Sequence, residues 1–300
     1  MGIEPIEASL FTRLWRFVRK PWTEQRRSIL SRLWRWVPGA VVPIRLPFGP
    51  WWLGQYEYST DLILTAGYEQ AETAFIQKFL RSGMTFLDVG ANRGYYTLLA
   101  SQKVGHDGRV IAFEPSPRER RFLRINLLLN HCRNVRLEPI ALGNECGQAA
   151  LFVVEGYSTG CNSLRSRKAQ FGGYTTSVQA LTLDGYVGTH GIARADLLKM
   201  DIEGGELEVI KGAAQFLTRR PRPIVLCELI DQLTELWAYE PRETVEYLQR
   251  LGFVWFSLCP QGTLEELSLN KTSFDGNFVA LPEEKLSELR KDGWLPDLRP

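Results

Sequence analysis

Apolar residues recur along this chain at two spacings, and from Thr85 onward the two alternate. Short apolar runs read as buried strands at "TFLDVG" (85–90), "RVIAFEP" (109–115), "NVRLEPIAL" (134–142), "ADLLKMDI" (195–202) and "PIVLCEL" (223–229). Helical spacing marks "YYTLLASQKV" (95–104), "PRERRFLRINLLLNH" (117–131), "GELEVIKGAAQFL" (205–217) and "RETVEYLQRLG" (242–252). "FVWFSL" and "GNFVALP" close the series as strands. Strand alternating with helix predicts an α/β fold: a mostly parallel sheet with helices on both faces. Between Gly143 and Leu183 the helical pattern lapses. There "AALFVV" and "TTSVQALTL" predict antiparallel strands around a loop containing "GCNSL".

The pattern upstream is different. "YEQAETAFIQKFLRSG" (68–83) predicts a helix stopped by Gly83. Residues 38–60 hold Pro38, Pro43, Pro47 and Pro50 and predict an irregular or short-stranded connector. Residues 10–18 and 29–37 each carry apolar side chains at helical spacing, with arginines on the other face and Pro21 between them. Residues 1–60 are therefore expected to form a basic amphipathic N-terminal extension and connector, and residues 61–300 the α/β domain.

Charge sharpens this division. Leu10–Val37 holds eight basic residues and one acid, Glu24, so the remainder of the chain is net acidic. One reading is a peripheral membrane contact through residues 10–37, lying on anionic lipid. The favoured one is a pair of short helices packing their Trp/Leu stripe on the body or on a second subunit, as amphipathic helices usually do. The five cysteines are odd in number and show no CxxC spacing, so neither a disulfide framework nor a zinc site is expected. Reduced thiols suit a cytoplasmic location. No apolar run approaches the ~20 residues needed to span a bilayer, and arginines interrupt any leader-like N-terminal segment.

"FLDVGANRGYYTLLA" (86–100) is the stretch that carries chemistry. A strand ending at Val89 must turn sharply into a helix starting near Tyr95. Gly90 and Gly94 permit that turn and let a ligand approach the backbone. The helix-start N–H groups can receive polar ligand atoms, at the strand end where ligands bind in such sheets. The GxGxxG dinucleotide fingerprint is absent, because the spacing is DxGxNxG. Asp88 can attract an ammonium, and Glu114, at the end of the next strand, can accept hydrogen bonds from two ribose hydroxyls. Amino acid, ribose and base together describe S-adenosylmethionine. Ala91, Asn92, Tyr96 and Pro115 belong to the same loop and strand end, and Ala141 and Leu142 follow the third strand, where they would flank an adenine.

"LLKMDIEGGE" (197–206) is the second such stretch. Lys199, Asp201 and Glu203 share one face of a strand, and Glu228 ends the next. Methyl transfer is mostly positioning, but a hydroxyl nucleophile benefits from a base. No histidine is well placed, so the expected base is a carboxylate: Asp201 first, then Glu203 or Glu228. Lys199 would hold Asp201 ionised or orient the substrate. A divalent metal on Asp201, Glu203 and Glu228 is a competing reading, and Glu206 is expected to cap its helix. Asn162 and Ser163 are read as lining the substrate mouth or as an ordinary turn, and Tyr68 and Glu69 as closing over the cofactor.

Together "FLDVGANRGYYTLLA", "VIAFEPSP", "LLKMDIEGGELEVIKGA" and "GYEQAE" resemble the FkbM family of S-adenosylmethionine-dependent methyltransferases, over about residues 60–230. "GCNSL" and "LTLD" are weaker matches. The resemblance implies a class I methyltransferase, Rossmann-like fold with a seven-stranded sheet whose last strand is antiparallel. It also implies methyl transfer to a hydroxyl of a small molecule or glycan (sugar, glycolipid or polyketide), and it does not imply a metal. The family usually has an aliphatic residue where Arg93 stands, so Arg93 is expected to face solvent or substrate. A nicotinamide oxidoreductase is disfavoured by the missing fingerprint. A nucleic-acid methyltransferase is disfavoured by the lack of an Asp-Pro-Pro-Tyr-like run, so no nucleic-acid partner is expected. An inactive membrane-surface module is disfavoured by the intact Asp88 and Glu114.

Overall fold

The computed structural model describes residue 18 and residues 22–295, apart from 38, 66, 269, 270 and 272. Its strands, in chain order, are β1 (Val42–Arg45), β2 (Trp51–Gly54), β3 (Thr85–Val89), β4 (Arg109–Phe113), β5 (Val135–Glu138), β6 (Ile140–Leu142), β7 (Gly147–Val154), β8 (Gly173–Leu181), β9 (Leu197–Met200), β10 (Ile224–Ile230), β11 (Phe253–Leu258), β12 (Leu264–Glu266) and β13 (Asp275–Pro282). Eight of them form one sheet in the order β12-β11-β13-β10-β9-β3-β4-β5. From β5 to β10 neighbouring strands are parallel, while β13 runs antiparallel between β10 and β11. The inner strands are apolar at successive positions; Val110–Phe113 and Leu197–Met200 are buried throughout. Only a sheet covered on both faces can hide such runs. Two apolar clusters result, one on each side of it.

The seven expected strands are present, with the last one antiparallel. An eighth, the short β12, adds to the edge through β11. "NVRLEPIAL" was expected as one strand and is two. Pro139 has no N–H to give a ladder, so the chain leaves the main sheet there. β6 instead joins a second sheet, β6-β8-β7, in which β7 and β8 pair antiparallel as their patterns predict. The expected helix 205–217 breaks into Glu206–Lys211 and Ala214–Thr218. At the break a Cβ on Gly212 would lie 2.0 Å from the carbonyl oxygen of Gly143. The helix Tyr95–Val104 has the expected bounds. The helix Tyr58–Leu64 was not expected at all.

β1 and β2 form a hairpin that shares the core: Ile44, Leu46 and Trp52 are buried in the same cluster as Phe86 and Leu98. The basic segment forms the helix Trp22–Trp36. Of the expected helix at 10–18, only Val18 is among the described residues. The expectation that the Trp/Leu stripe packs inward holds for part of the helix. Trp34 is buried and Leu30 packs beside it, whereas Leu33 and Trp36 are exposed.

Candidate active site

Chain order reverses between β3 and β9. From β3 the chain steps outward to β4 and β5, then returns to β9 on the other side. The carboxyl ends of those two strands diverge there, and a cleft of about 480 Å³ opens beyond them. Gly90, Asn92, Glu114, Pro115, Ala141, Leu142, Asp201, Glu203 and Glu228 all line it, as do Tyr68, Glu69, Asn162 and Ser163. A smaller cavity beneath the glycine loop is bordered by Asp88, Ala91, Tyr96 and Lys199. Gly94 borders neither. Its place is structural, since a Cβ there would lie 2.2 Å from Leu123 Cδ1.

The loop is held by its neighbours. Gly90 and Ala91 both donate backbone N–H to the Phe113 carbonyl, at 3.1 and 3.0 Å. Glu114 accepts from the N–H of Asn92 (2.6 Å) on one oxygen and from that of Ser116 (2.8 Å) on the other. Each oxygen keeps a further lone pair for a ligand hydroxyl. Burial pushes the Glu114 carboxyl up to about 8 against those two donors. Asp88 is buried; Thr97 donates to its Oδ2 at 2.5 Å, and its Oδ1 is buried without a hydrogen-bond partner. Burial raises its pKa as well, opposed by Lys199.

Lys199 is the buried cation of the site. It lies opposite Asp88 in the β3–β9 register, 2.9 Å from Asp201 Oδ2 and 4.7 Å over the Tyr96 ring. Burial alone would lower its pKa. Asp201, Asp88 and Glu69 outweigh that and keep it charged. Glu69, in left-handed conformation with φ 37°, accepts from the Tyr96 hydroxyl. Burial and the Asp201 charge push it up to about 7. Glu203 is also left-handed, at φ 60°, and is paired with Arg167. Burial pushes it up to about 7 against that arginine. Glu228 is raised well above the carboxylate range, by burial and then by Asp201 and Glu203. Glu206 accepts from the Ile202 N–H at 3.0 Å, which is a structural role at the helix start.

Arg93 does not face solvent or substrate. Its guanidinium is buried between Glu57 (2.9 Å) and Glu119 (2.7 Å) and lies over the Phe122 ring. Sequence reasoning also missed further residues that line the cleft, Tyr58, Leu62, Trp237 and Asn277 among them. Asn277 faces Glu228 across β13–β10, a register that no local pattern discloses. Among the described residues no group of three or more His, Cys, Asp or Glu is placed to hold a metal ion.

The donor set fits S-adenosylmethionine. Glu114 would offer acceptors to ribose hydroxyls, Ala141 and Leu142 an apolar wall, and Asp88 a buried carboxyl oxygen without a partner for an ammonium. Sheet order and cleft together define a Rossmann-like α/β fold whose strand-end site suits S-adenosylmethionine. The family model described as "Methyltransferase FkbM domain" matches residues 88–255, more than half of the chain, and the protein belongs to that family. A relative from Beauveria bassiana (strain ARSEF 2860), "Methyltransferase 1", is 28% identical over 142 residues, which are 42% of this chain and 57% of that protein. Solved structures are similar at low identity. The SAM-dependent O-methyltransferase of Thermotoga maritima is 16% identical, with TM-score 0.39 over 80% of this chain and 77% of that one. The O-methyltransferase of Bacillus cereus in complex with SAH is 14% identical, with TM-score 0.41 over 70% and 79%. The precorrin-6y C5,15-methyltransferase of Geobacter metallireducens GS-15 is 18% identical, with TM-score 0.38 over 70% and 84%. Family membership therefore rests on the sequence match. It leaves the nicotinamide reading without support.

Proposed function

We propose that the protein methylates a hydroxyl of a small molecule or glycan, with Glu203 accepting the proton that leaves. The carrying observation is that Asp201, Glu203 and Glu228 line the same cleft as the glycine loop and Glu114. When bound, S-adenosylmethionine supplies a methyl group already activated on a sulfonium. The protein's own work is then to align the hydroxyl and to take its proton.

Each carboxylate has a different part in this reading. Asp201, tied to Lys199, is held in place in the cleft. Glu203, with a pKa of about 7, exists in both protonation states near neutral pH, which suits a general base. Glu228, raised well above the carboxylate range by burial and Asp201, faces Asn277 and is placed to hydrogen-bond the acceptor. Trp237 and Leu151 give the acceptor an apolar wall. No helix among the described residues is long and apolar enough to cross a membrane, and a cytoplasmic location is part of this proposal.

The test is a methyl-transfer screen with isotopically labelled S-adenosylmethionine over hydroxylated small molecules and glycans, with the product's methyl carbon assigned by NMR. A methoxyl carbon supports the reading. A methyl on nitrogen or carbon overturns it.

A further inference from the structure

The helix Trp22–Trp36 presents two apolar stripes, of which the body covers one. On the inner side Trp34 is buried and donates its indole N–H to the Ala40 carbonyl at 2.9 Å. On the outer side Ile29, Leu33 and Trp36 follow at four- and three-residue spacing, so they share a face. All three are exposed, Trp36 by 85%. A tryptophan so exposed, in line with two aliphatic side chains, needs an explanation that a single surface leucine does not.

The charges beside the stripe have one sign. Arg32 and Arg35 are exposed along it, and Glu24 is the sole acid of the helix. The segment just before it in sequence repeats the composition, with Arg13, Arg16, Arg19 and Lys20 among leucine, phenylalanine and tryptophan. We propose that this face docks on an anionic lipid bilayer, with Ile29, Leu33 and Trp36 entering the headgroup region and the arginines meeting lipid phosphates. Tryptophan suits that depth, and arginines flanking an apolar stripe are the composition of interfacial helices. A second copy of the chain fits less well. A two-fold contact along this stripe would set Arg32 and Arg35 against their own equivalents.

The helix itself, through its inner side, adjoins the cleft. Arg27 binds Asp61 (2.8 Å) on the helix Tyr58–Leu64, and Tyr58, Ser59 and Leu62 of that helix line the cleft. Exposed aromatics bridge the two. Tyr56 lies 6.0 Å from Trp34 and 5.2 Å from Tyr157, which lies 6.0 Å from Tyr58. The helix that carries the stripe is thus anchored beside the cleft through its inner side.

The experiment is co-sedimentation of the full chain with vesicles of phosphatidylcholine alone and of equal parts phosphatidylcholine and phosphatidylglycerol. S-adenosylhomocysteine affinity is measured on the same preparations, because the helix lies outside the cleft and should leave that affinity unchanged. The expected result is binding to the anionic vesicles that weakens with salt. It should fall by about tenfold or more in Leu33→Ser/Trp36→Ser and by a similar factor in Arg32→Gln/Arg35→Gln. No binding to anionic vesicles, or binding that neither variant changes, overturns the proposal. So does a concentration-dependent dimer that Leu33→Ser/Trp36→Ser abolishes, since the occupant would then be a second copy.

Discussion

Arg93 Nε lies 2.7 Å from Glu119 Oε2, and neither side chain reaches solvent. Glu57 closes the other side of the guanidinium at 2.9 Å and accepts in turn from Thr159, in the loop before the second sheet's last strand. One arginine thus ties the cofactor loop to the helix Pro117–Leu129, to the segment entering Tyr58–Leu64 and to a loop over the cleft. Arg93→Ala leaves two buried carboxylates facing each other and should cost about 3–5 kcal/mol, as expected for breaking a buried pair from one side. The triple change Arg93→Met, Glu57→Gln, Glu119→Gln removes the charges together and should be far milder. Urea denaturation of both variants checks this, and equal losses would contradict it.

Gly90 stands against the Asp201 carbonyl: a Cβ at position 90 would lie 1.9 Å from that oxygen, and its φ is 80°. Gly90→Ala must therefore strain the loop and push β3 and β9 apart where the cleft opens. The expected loss is about 2 kcal/mol or more of stability, with S-adenosylhomocysteine affinity down by about tenfold or more. Calorimetry on the folded variant reads the second effect apart from the first. Unchanged affinity would remove Gly90 from the cofactor site.

What could be read from the sequence divides along contact range. Asp88, Gly90 and Glu114 were legible because each sits at a fixed step from a strand end, and strand, turn and helix follow from neighbouring residues. Lys199 and Asp201 pair as expected because two positions along one strand direction share a face. The partners of Arg93 lie 36 residues upstream and 26 downstream, and nothing near position 93 announces them. Arg167 against Glu203 and Asn277 against Glu228 are of the same kind, since they exist only once the loop between β7 and β8 meets the end of β9 and β10 is in register with β13. The break at Pro139 had a visible cause, but its consequence depended on a second sheet being there to receive β6.

The buried carboxylates set the sign of the pH dependence. Glu114 is held at about 8, and Glu69 and Glu203 at about 7, against an ordinary 4.5. A carboxyl raised on folding keeps a proton that the unfolded chain has already lost. Between about 4.5 and about 8 the folded state binds more protons, so stability falls as pH rises through that window and levels off above it. Each group contributes at most about 1.4 kcal/mol per pH unit. Glu284, lowered to about 2 by Arg222, acts the opposite way but only below about 4.5. Denaturation midpoints of the ligand-free protein should fall from about pH 5 to about pH 8, and less steeply in Glu114→Gln. S-adenosylmethionine, which carries a sulfonium, should gain affinity over S-adenosylhomocysteine across the same range. A midpoint that climbs with pH would contradict the assignment.

Glu203 carries the proposed base, and its test separates chemistry from binding. The side chain is held at φ 60° by its own turn, where its carbonyl accepts from Trp237 Nε1 at 3.2 Å, and its carboxylate by Arg167. Glu203→Gln keeps the size of the side chain and most of its hydrogen bonding but cannot take a proton. With an acceptor found by the screen, kcat should fall by about 10²-fold or more, the lower end for loss of a general base. S-adenosylhomocysteine affinity should stay within about twofold, since Glu203 is not needed to hold ribose or adenine. The acidic limb of the wild-type pH–rate profile, with its midpoint near 7, should disappear in the variant. If instead Asp201→Asn removes that limb and Glu203→Gln leaves it, the proton goes to Asp201, and Glu203 serves only to anchor Arg167 at the cleft wall.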